Sequence, residues 1–140
     1  MINIQLTEIN KDKLYAIVLQ TTEEVCEEYH LDNEFGTISM ANQMVIDYLN
    51  NNFLDYMVNV DLNLDNDSLY YSYSSSIPLF RELSDSHQVI KDEYHLLSLL
   101  ADENEFSIDG KQLSLTFHVK PHIRPNHILH LQSSLHKTIS

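Results

Sequence analysis

Apolar residues recur along this chain at two different spacings, and the order of those spacings restricts the fold more than any other feature. Residues 2–6 alternate between apolar and polar side chains, which is typical of a half-buried strand. Across residues 10–30 and 37–54 the apolar side chains recur every three or four positions, which predicts two amphipathic helices. The polar residues 31–36 predict a break between them, with Gly36 opening the second helix. Six side chains of the second helix are predicted to pack inward: Met40, Met44, Val45, Tyr48, Leu49 and Phe53.

The middle of the chain predicts an antiparallel hairpin. Apolar and polar residues alternate strictly over residues 58–64, and the Asp- and Asn-containing residues 65–67 favour a turn. Residues 69–74 supply the return strand, because their tyrosines suit a pleated surface. Residues 75–89 show neither spacing and predict an irregular stretch.

A third helix and a second hairpin complete the pattern. Residues 91–101 predict the helix. Residues 106–119 alternate around Asp109-Gly110, a dipeptide favoured in two-residue hairpin turns. The order strand, helix, helix, hairpin, helix, hairpin predicts an α+β fold. It is a two-layer α/β sandwich in which about three helices pack on one face of a mixed, mostly antiparallel sheet.

The length of 140 residues fits one domain. Regular spacing covers residues 1–120, and residues 121–140 form a histidine-containing tail. In that tail His127 and His130 have the spacing of a shared helical face, but no second pair of ligands accompanies them, so we expect no metal. The sequence contains neither a glycine-rich P-loop nor a serine-nucleophile motif.

Acidic residues outnumber basic ones by 21 to 8, which gives a formal net charge of −13 at pH 7. Such a charge repels nucleic acid and anionic lipid and favours a basic protein partner. No apolar run reaches the roughly 20 residues that span a bilayer, and the single cysteine, Cys26, suits a core position in a cytoplasmic protein. Four glutamates of the first helix form either a solvated face or a docking surface: Glu23, Glu24, Glu27 and Glu28.

The order of elements and several residues resemble the GHKL superfamily of ATPases, which have the histidine-kinase-like ATPase fold. The bacterial anti-sigma-factor serine kinases are the most similar branch, over residues 1–120. Asp47 and Asn51 match a Glu and an Asn that the family places four residues apart on its second helix. The resemblance implies that Asn51 holds Mg²⁺ and that Asp47 acts as a base. Residues 99–102, Leu-Leu-Ala-Asp, followed by a strand and an Asp-Gly hairpin, are the most specific part of the resemblance.

At two of the nucleotide-binding positions of that family, this chain carries other residues. Ser74 and Ser76 stand where the family has the Asp and the Gly that contact adenine. After Lys91, Asp92 and Glu93 replace the glycines whose N–H groups face the phosphates. A carboxylate about 4 Å from a phosphate charge costs about 4 kcal/mol at an effective dielectric of 20. Gly36 and Gly110 are the only glycines and lie elsewhere in the predicted fold.

The sequence therefore favours a non-catalytic regulatory protein on an anti-sigma-kinase-like scaffold. The resemblance implies a sigma factor or an anti-anti-sigma-like regulator as partner, and a possible homodimer. Asn51, Asp47, Ser74, Ser76 and Lys91 would then be remnants of an ATP and magnesium site, with no cofactor bound. The alternative is an active ATP-dependent serine protein kinase that uses Asp47 and Asn51. A third reading is a structural protein whose likeness to the family is topological only.

Overall fold

The computed structural model describes residues 2–85 and 97–121. Its helices and strands follow one another in the order β1 (Ile2–Asn10), α1 (Lys11–Glu28), α2 (Asp32–Asn52), β2 (Met57–Leu64), β3 (Ser68–Ser74), α3 (Arg81–Asp85), β4 (Glu103–Phe106) and β5 (Gln112–His118). Residues 97–100 are also helical. The predicted α+β class and two-layer arrangement are confirmed.

The strands form one five-stranded sheet in the order β1-β2-β3-β5-β4. Each neighbouring pair of these strands is antiparallel. Ile4, Leu62, Tyr71 and Leu115 lie in one row across four strands, and all are buried. Because side chains alternate along a strand, the apolar residues collect on one face of the sheet.

Helices α1 and α2 cover that apolar face. The hydroxyl groups of Thr22 in α1 and Tyr71 in β3 are 2.6 Å apart, and the Tyr73 hydroxyl donates to Asn42 of α2 over 2.6 Å. Fully buried apolar side chains of the two helices and of the sheet form one core, among them Leu14, Val18, Val25, Ala41, Val45, Leu49, Val60, Leu62, Leu69 and Leu115. The opposite face of the sheet carries mainly polar residues.

Strand β1 is longer than residues 2–6, the segment predicted from alternation. Its pairing with β2 shifts register between Leu6 and Ile9, and Glu8 adopts a positive φ of 51°. The Glu8 N–H donates to Oδ1 of Asn59 over 2.7 Å. This irregularity returns Ile9 to the core, where it is 6% exposed. The bulge interrupts the alternation of apolar and polar residues, so alternation alone did not predict the full length of the strand.

The predicted break at residues 31–36 is wrong, because α2 begins at Asp32. Only a short turn separates the helices, with His30 at a φ of 59° and the Leu31 N–H donating to the Cys26 carbonyl over 2.8 Å. Leu31 is buried, and Phe35 packs against the core. Their helical spacing continues through the polar residues, so Gly36 lies inside the helix and does not open it.

The second hairpin has a longer connection than a two-residue turn. Strand β4 ends at Phe106 and β5 begins at Gln112, so Asp109 and Gly110 lie within a loop spanning 107–111. The Ser107 N–H donates to the Gln112 carbonyl, and its hydroxyl bonds Asp109. Two further predictions were wrong: α3 lies within the stretch expected to be irregular, and Met40 is 55% exposed instead of packing inward. Of the predicted helix at 91–101, residues 91–96 lie outside the described residues.

Candidate functional site

Asp47 and Asn51 both lie on the exposed side of α2. Their spacing of four places them on one helix face, as the sequence predicted. Tyr48, between them in the sequence, points the other way and is only 5% exposed. The pair is therefore accessible to solvent, whereas the side chain beside it belongs to the core.

Tyr48 fixes the segment that follows β3 against α2. Its hydroxyl donates to the Leu79 carbonyl over 2.9 Å and accepts from the Leu83 N–H over 3.3 Å. Leu79, Phe80 and Leu83 are buried. Phe80 meets Tyr73 edge-on, with ring centroids 6.4 Å apart. Apolar side chains thus fill the space between α2 and the end of β3.

The hairpin loop holds the other side of the same segment. The Phe80 N–H donates to the Gly110 carbonyl over 2.9 Å, and the Arg81 guanidinium donates to the Asp109 carbonyl over 3.1 Å. Gly110 has a φ of 74°, and a Cβ placed on it would lie 3.1 Å from the Cβ of Arg81. Glycine is required here both by the backbone conformation and by the close approach of the α3 start.

The structure does not bring Ser74 beside Asp47 and Asn51. Ser74 follows Tyr73, which faces the helices, so alternation turns Ser74 toward the opposite face of the sheet. Ser76 is exposed beyond the end of the strand. Lys91 lies outside the described residues, together with Asp92 and Glu93.

A shallow groove runs along the outer surface between α1 and α2. Residues of both helices line it: Tyr15, Val18, Leu19, Thr22, Ser39, Asn42, Gln43 and Ile46. Tyr15 is 43% exposed, and Met40, one residue from Ser39, is 55% exposed. The hydroxyl of Ser39 is buried without a hydrogen-bond partner among the described residues. Val18, Thr22, Asn42 and Ile46 are each at most 2% exposed, so the groove is a narrow seam between packed helices that offers little accessible surface.

Acidic side chains stand at both ends of this groove. Glu23 is four residues beyond Leu19 on α1, and Asp47 is four residues beyond Gln43 on α2, so each continues a row of groove residues. Both are exposed. Between Lys13 and Arg81 the sequence contains no lysine or arginine. The two lysines of the first turn of α1 lie at the same end of the helix pair as Asp47, where Lys11 donates to the Asn50 carbonyl over 3.2 Å.

Sequence reasoning found the acidic helix but missed the groove. Tyr15 and Leu19 lie beside the main apolar stripe of α1, and Met40 was expected inside. A second apolar row at positions 15 and 19, displaced from the stripe at 14 and 18, is the signal that indicates this surface. Of these two side chains only Tyr15 is exposed, and a single exposed apolar side chain is ordinary on a protein surface.

The remaining clefts and the single cysteine are less suited to binding or catalysis. An open cleft of about 530 Å³ lies between the 67–68 turn and residues 118–120 and carries charges of both signs. Cys26 is buried as predicted, and burial, with the carboxylates of Asp32 and Glu34, raises its pKa to about 12. A thiol with such a pKa is inert near neutrality.

No cluster of three or more metal-ligating side chains occurs within residues 2–85 and 97–121. His127 and His130 lie outside those ranges. Across the same residues, no helix is long and apolar enough to cross a membrane. No protein-family model matches the chain, and no curated protein matches it significantly.

Proposed function

We propose that this protein is a non-catalytic regulatory protein that acts by binding another protein. Its scaffold would be similar to that of the anti-sigma-factor kinases, with a degraded ATP site. The observation that carries the proposal is the packing of the 79–83 segment on Tyr48, which faces away from Asp47 and Asn51. The exposed pair and the space between α2 and the end of β3 therefore do not form one cavity, which supports a degraded site.

The chemistry of the remaining positions supports the same proposal. Ser74 is turned away from α2, and a neutral hydroxyl is a weaker partner for an adenine amino group than a carboxylate. By the resemblance to that family, Asp92 and Glu93 would stand where backbone N–H groups have to face phosphates. A net charge of −13 further opposes a polyanionic ligand and favours a basic partner protein, such as a sigma factor or its regulator.

Calorimetric titration with ATP and Mg²⁺ tests the degraded site. We expect no binding heat at ATP concentrations up to about 1 mM, since tighter binding would need a cradle of unopposed donors. Dissociation constants in the micromolar range would contradict the proposal.

The exposed Asp47 and Asn51 pair supplies the specific observation that favours the alternative, an active serine protein kinase. Incubation with labelled ATP and candidate protein substrates separates the two functions. In the kinase reading, Asn51→Ala abolishes phosphate transfer, whereas Asn52→Ala, one residue further along the exposed helix end, leaves it intact. We expect no transfer by the wild-type protein.

A further inference from the structure

We infer that the outer edge of β1 is a dimerisation surface, along which residues 2–6 pair antiparallel with the same strand of a second copy of this chain. Strand β1 is a terminal strand of the sheet, and among residues 2–85 and 97–121 its one neighbouring strand is β2. A terminal strand presents a row of unpaired N–H and C=O groups to which a further strand can bond. The inference goes beyond the proposed function and does not rest on it.

The register of the sheet shows which backbone groups of β1 bond to β2. At the turn between β2 and β3, the Asp65 N–H donates to the Ser68 carbonyl over 3.0 Å. Residues of an antiparallel strand direct their backbone groups to its two sides in alternation. Odd-numbered residues of β2 therefore bond to β3, and Leu62 directs its N–H and C=O toward β1, where it pairs with Ile4. The backbone groups of Ile4 are thus bonded within the sheet.

The same alternation directs the N–H and C=O groups of Asn3 and Gln5 outward, away from β2. Both residues are exposed, and their side chains lie on the polar face of the sheet. The outer edge therefore offers two donors and two acceptors at the spacing that another antiparallel strand requires.

The two edges of the sheet differ in how they oppose such pairing. Strand β4, at the other edge, has only four residues, and two of them are the exposed Glu103 and Glu105. Short length and charged side chains are the usual protection of an edge strand. Residues 2–7 of β1 contain neither a charged side chain nor a proline, in a chain whose net charge is −13. The edge of β1 is thus open to pairing, whereas that of β4 is protected.

A second copy supplies an uncharged strand with matching alternation. With a two-fold axis beside Ile4, each Ile4 faces Ile4 of the second copy, and each Asn3 faces Gln5 of the second copy. Apolar side chains then meet on the helix-covered face and amides meet on the polar face. The bulge after Leu6, which holds the exposed Glu8, ends the regular pairing. Because β4 is protected, assembly stops at a closed dimer.

Analytical ultracentrifugation and amide hydrogen exchange of the full chain test the inference together. We expect a monomer–dimer equilibrium, and a protein that stays monomeric up to about 1 mM would overturn the inference. Exchange at Asn3 and Gln5 should slow as the protein concentration rises through the dimerisation range. Exchange at Ile4 should change less, because its N–H already bonds to β2. A dimer that leaves exchange at Asn3 and Gln5 unchanged would place the interface elsewhere and would also overturn the inference.

Two matched double variants locate the interface. Asn3→Glu with Gln5→Glu places carboxylates directly opposite one another in the dimer and should weaken dimerisation at least tenfold. Asn66→Glu with Gln112→Glu makes the same substitutions at exposed positions away from the β1 edge and should weaken it less than twofold. Equal weakening by the two variants would show repulsion through net charge alone and would overturn the inference.

A charge exchange between two chains tests the register. The variant Asn3→Lys with Gln5→Lys, mixed with the double glutamate variant, places each introduced lysine opposite an introduced glutamate. We expect this mixed dimer to form at least tenfold more tightly than either variant dimerises alone, and its failure to form would overturn the pairing. Protection of Asn3 and Gln5 at every concentration would assign the edge to another segment of the same chain and would also overturn the inference. None of these measurements involves nucleotide, so the proposed function is tested separately.

Discussion

Tyr73 of β3 donates a hydrogen bond of 2.6 Å to the side-chain carbonyl of Asn42, in the buried middle of α2. Two residues earlier, Tyr71 makes the equivalent contact with Thr22 of α1. Successive inward-facing tyrosines of one strand therefore bind the two helices separately. Burial raises the pKa of both tyrosines, which keeps both hydroxyl groups protonated. The groove geometry depends on these contacts, because they set where each helix lies on the sheet.

Replacement of Tyr73 by phenylalanine should lower the free energy of unfolding by about 1–3 kcal/mol, because Oδ1 of Asn42 is left buried without a donor. Chemical denaturation measures the change. Tyr70→Phe, at a 38% exposed position on the other face of β3, is the control and should have little effect. Combining Tyr73→Phe with Asn42→Leu should recover part of the loss, since no polar atom is then unpaired. An unchanged free energy of unfolding for Tyr73→Phe would contradict the hydrogen bond between Tyr73 and Asn42.

Tyr48→Phe should loosen the segment at 79–83 from α2. The change removes a donor to Leu79 and an acceptor for the Leu83 N–H while keeping the ring in place. We expect faster amide hydrogen exchange at Leu83 and a loss of about 1–2 kcal/mol in stability.

Tyr56→Phe is the matched control for that experiment, because its hydroxyl donates to Oδ1 of Asn50 at a separate site. It should lower global stability without a selective increase of exchange at Leu83. If Tyr48→Phe gave the same exchange pattern as this control, the 79–83 segment would not depend on Tyr48.

Replacement of the two glycines by alanine should change the stability in opposite directions. Gly36 lies in an exposed turn of α2 with no atom within 4 Å of an added Cβ, so Gly36→Ala should stabilise by about 0.5–1 kcal/mol. Gly110→Ala should destabilise by about 1 kcal/mol or more, because alanine is strained at a φ of 74° and meets Arg81. Thermal denaturation of both variants measures the difference. A change in stability in the same direction for both variants would contradict the prediction.

The sequence predicted the order of the elements and the antiparallel hairpins because each rests on local spacing. It did not predict the start of α2, since the polar residues around Gly36 hide the helical spacing of Leu31 and Phe35. Contacts such as Tyr73 with Asn42 join residues 31 positions apart and depend on how the helices are placed. Met40 was expected inside, whereas the buried stripe of α2 runs through Ala41 and Val45 and leaves Met40 exposed.

Cys26 should make the stability depend on pH in the alkaline range. Its pKa is raised from 9.0 to about 12 by burial first and by Asp32 and Glu34 second. The unfolded thiol therefore ionises before the folded one, and the stabilising contribution is present in full below pH 9 and is lost as pH rises toward 12. We expect the stability of the wild type to fall relative to Cys26→Ala by about 1 kcal/mol between pH 8.5 and 10. Denaturation of both proteins at each pH measures this difference. If the two stabilities changed in parallel with pH, the thiol would ionise as easily in the folded protein as in the unfolded one.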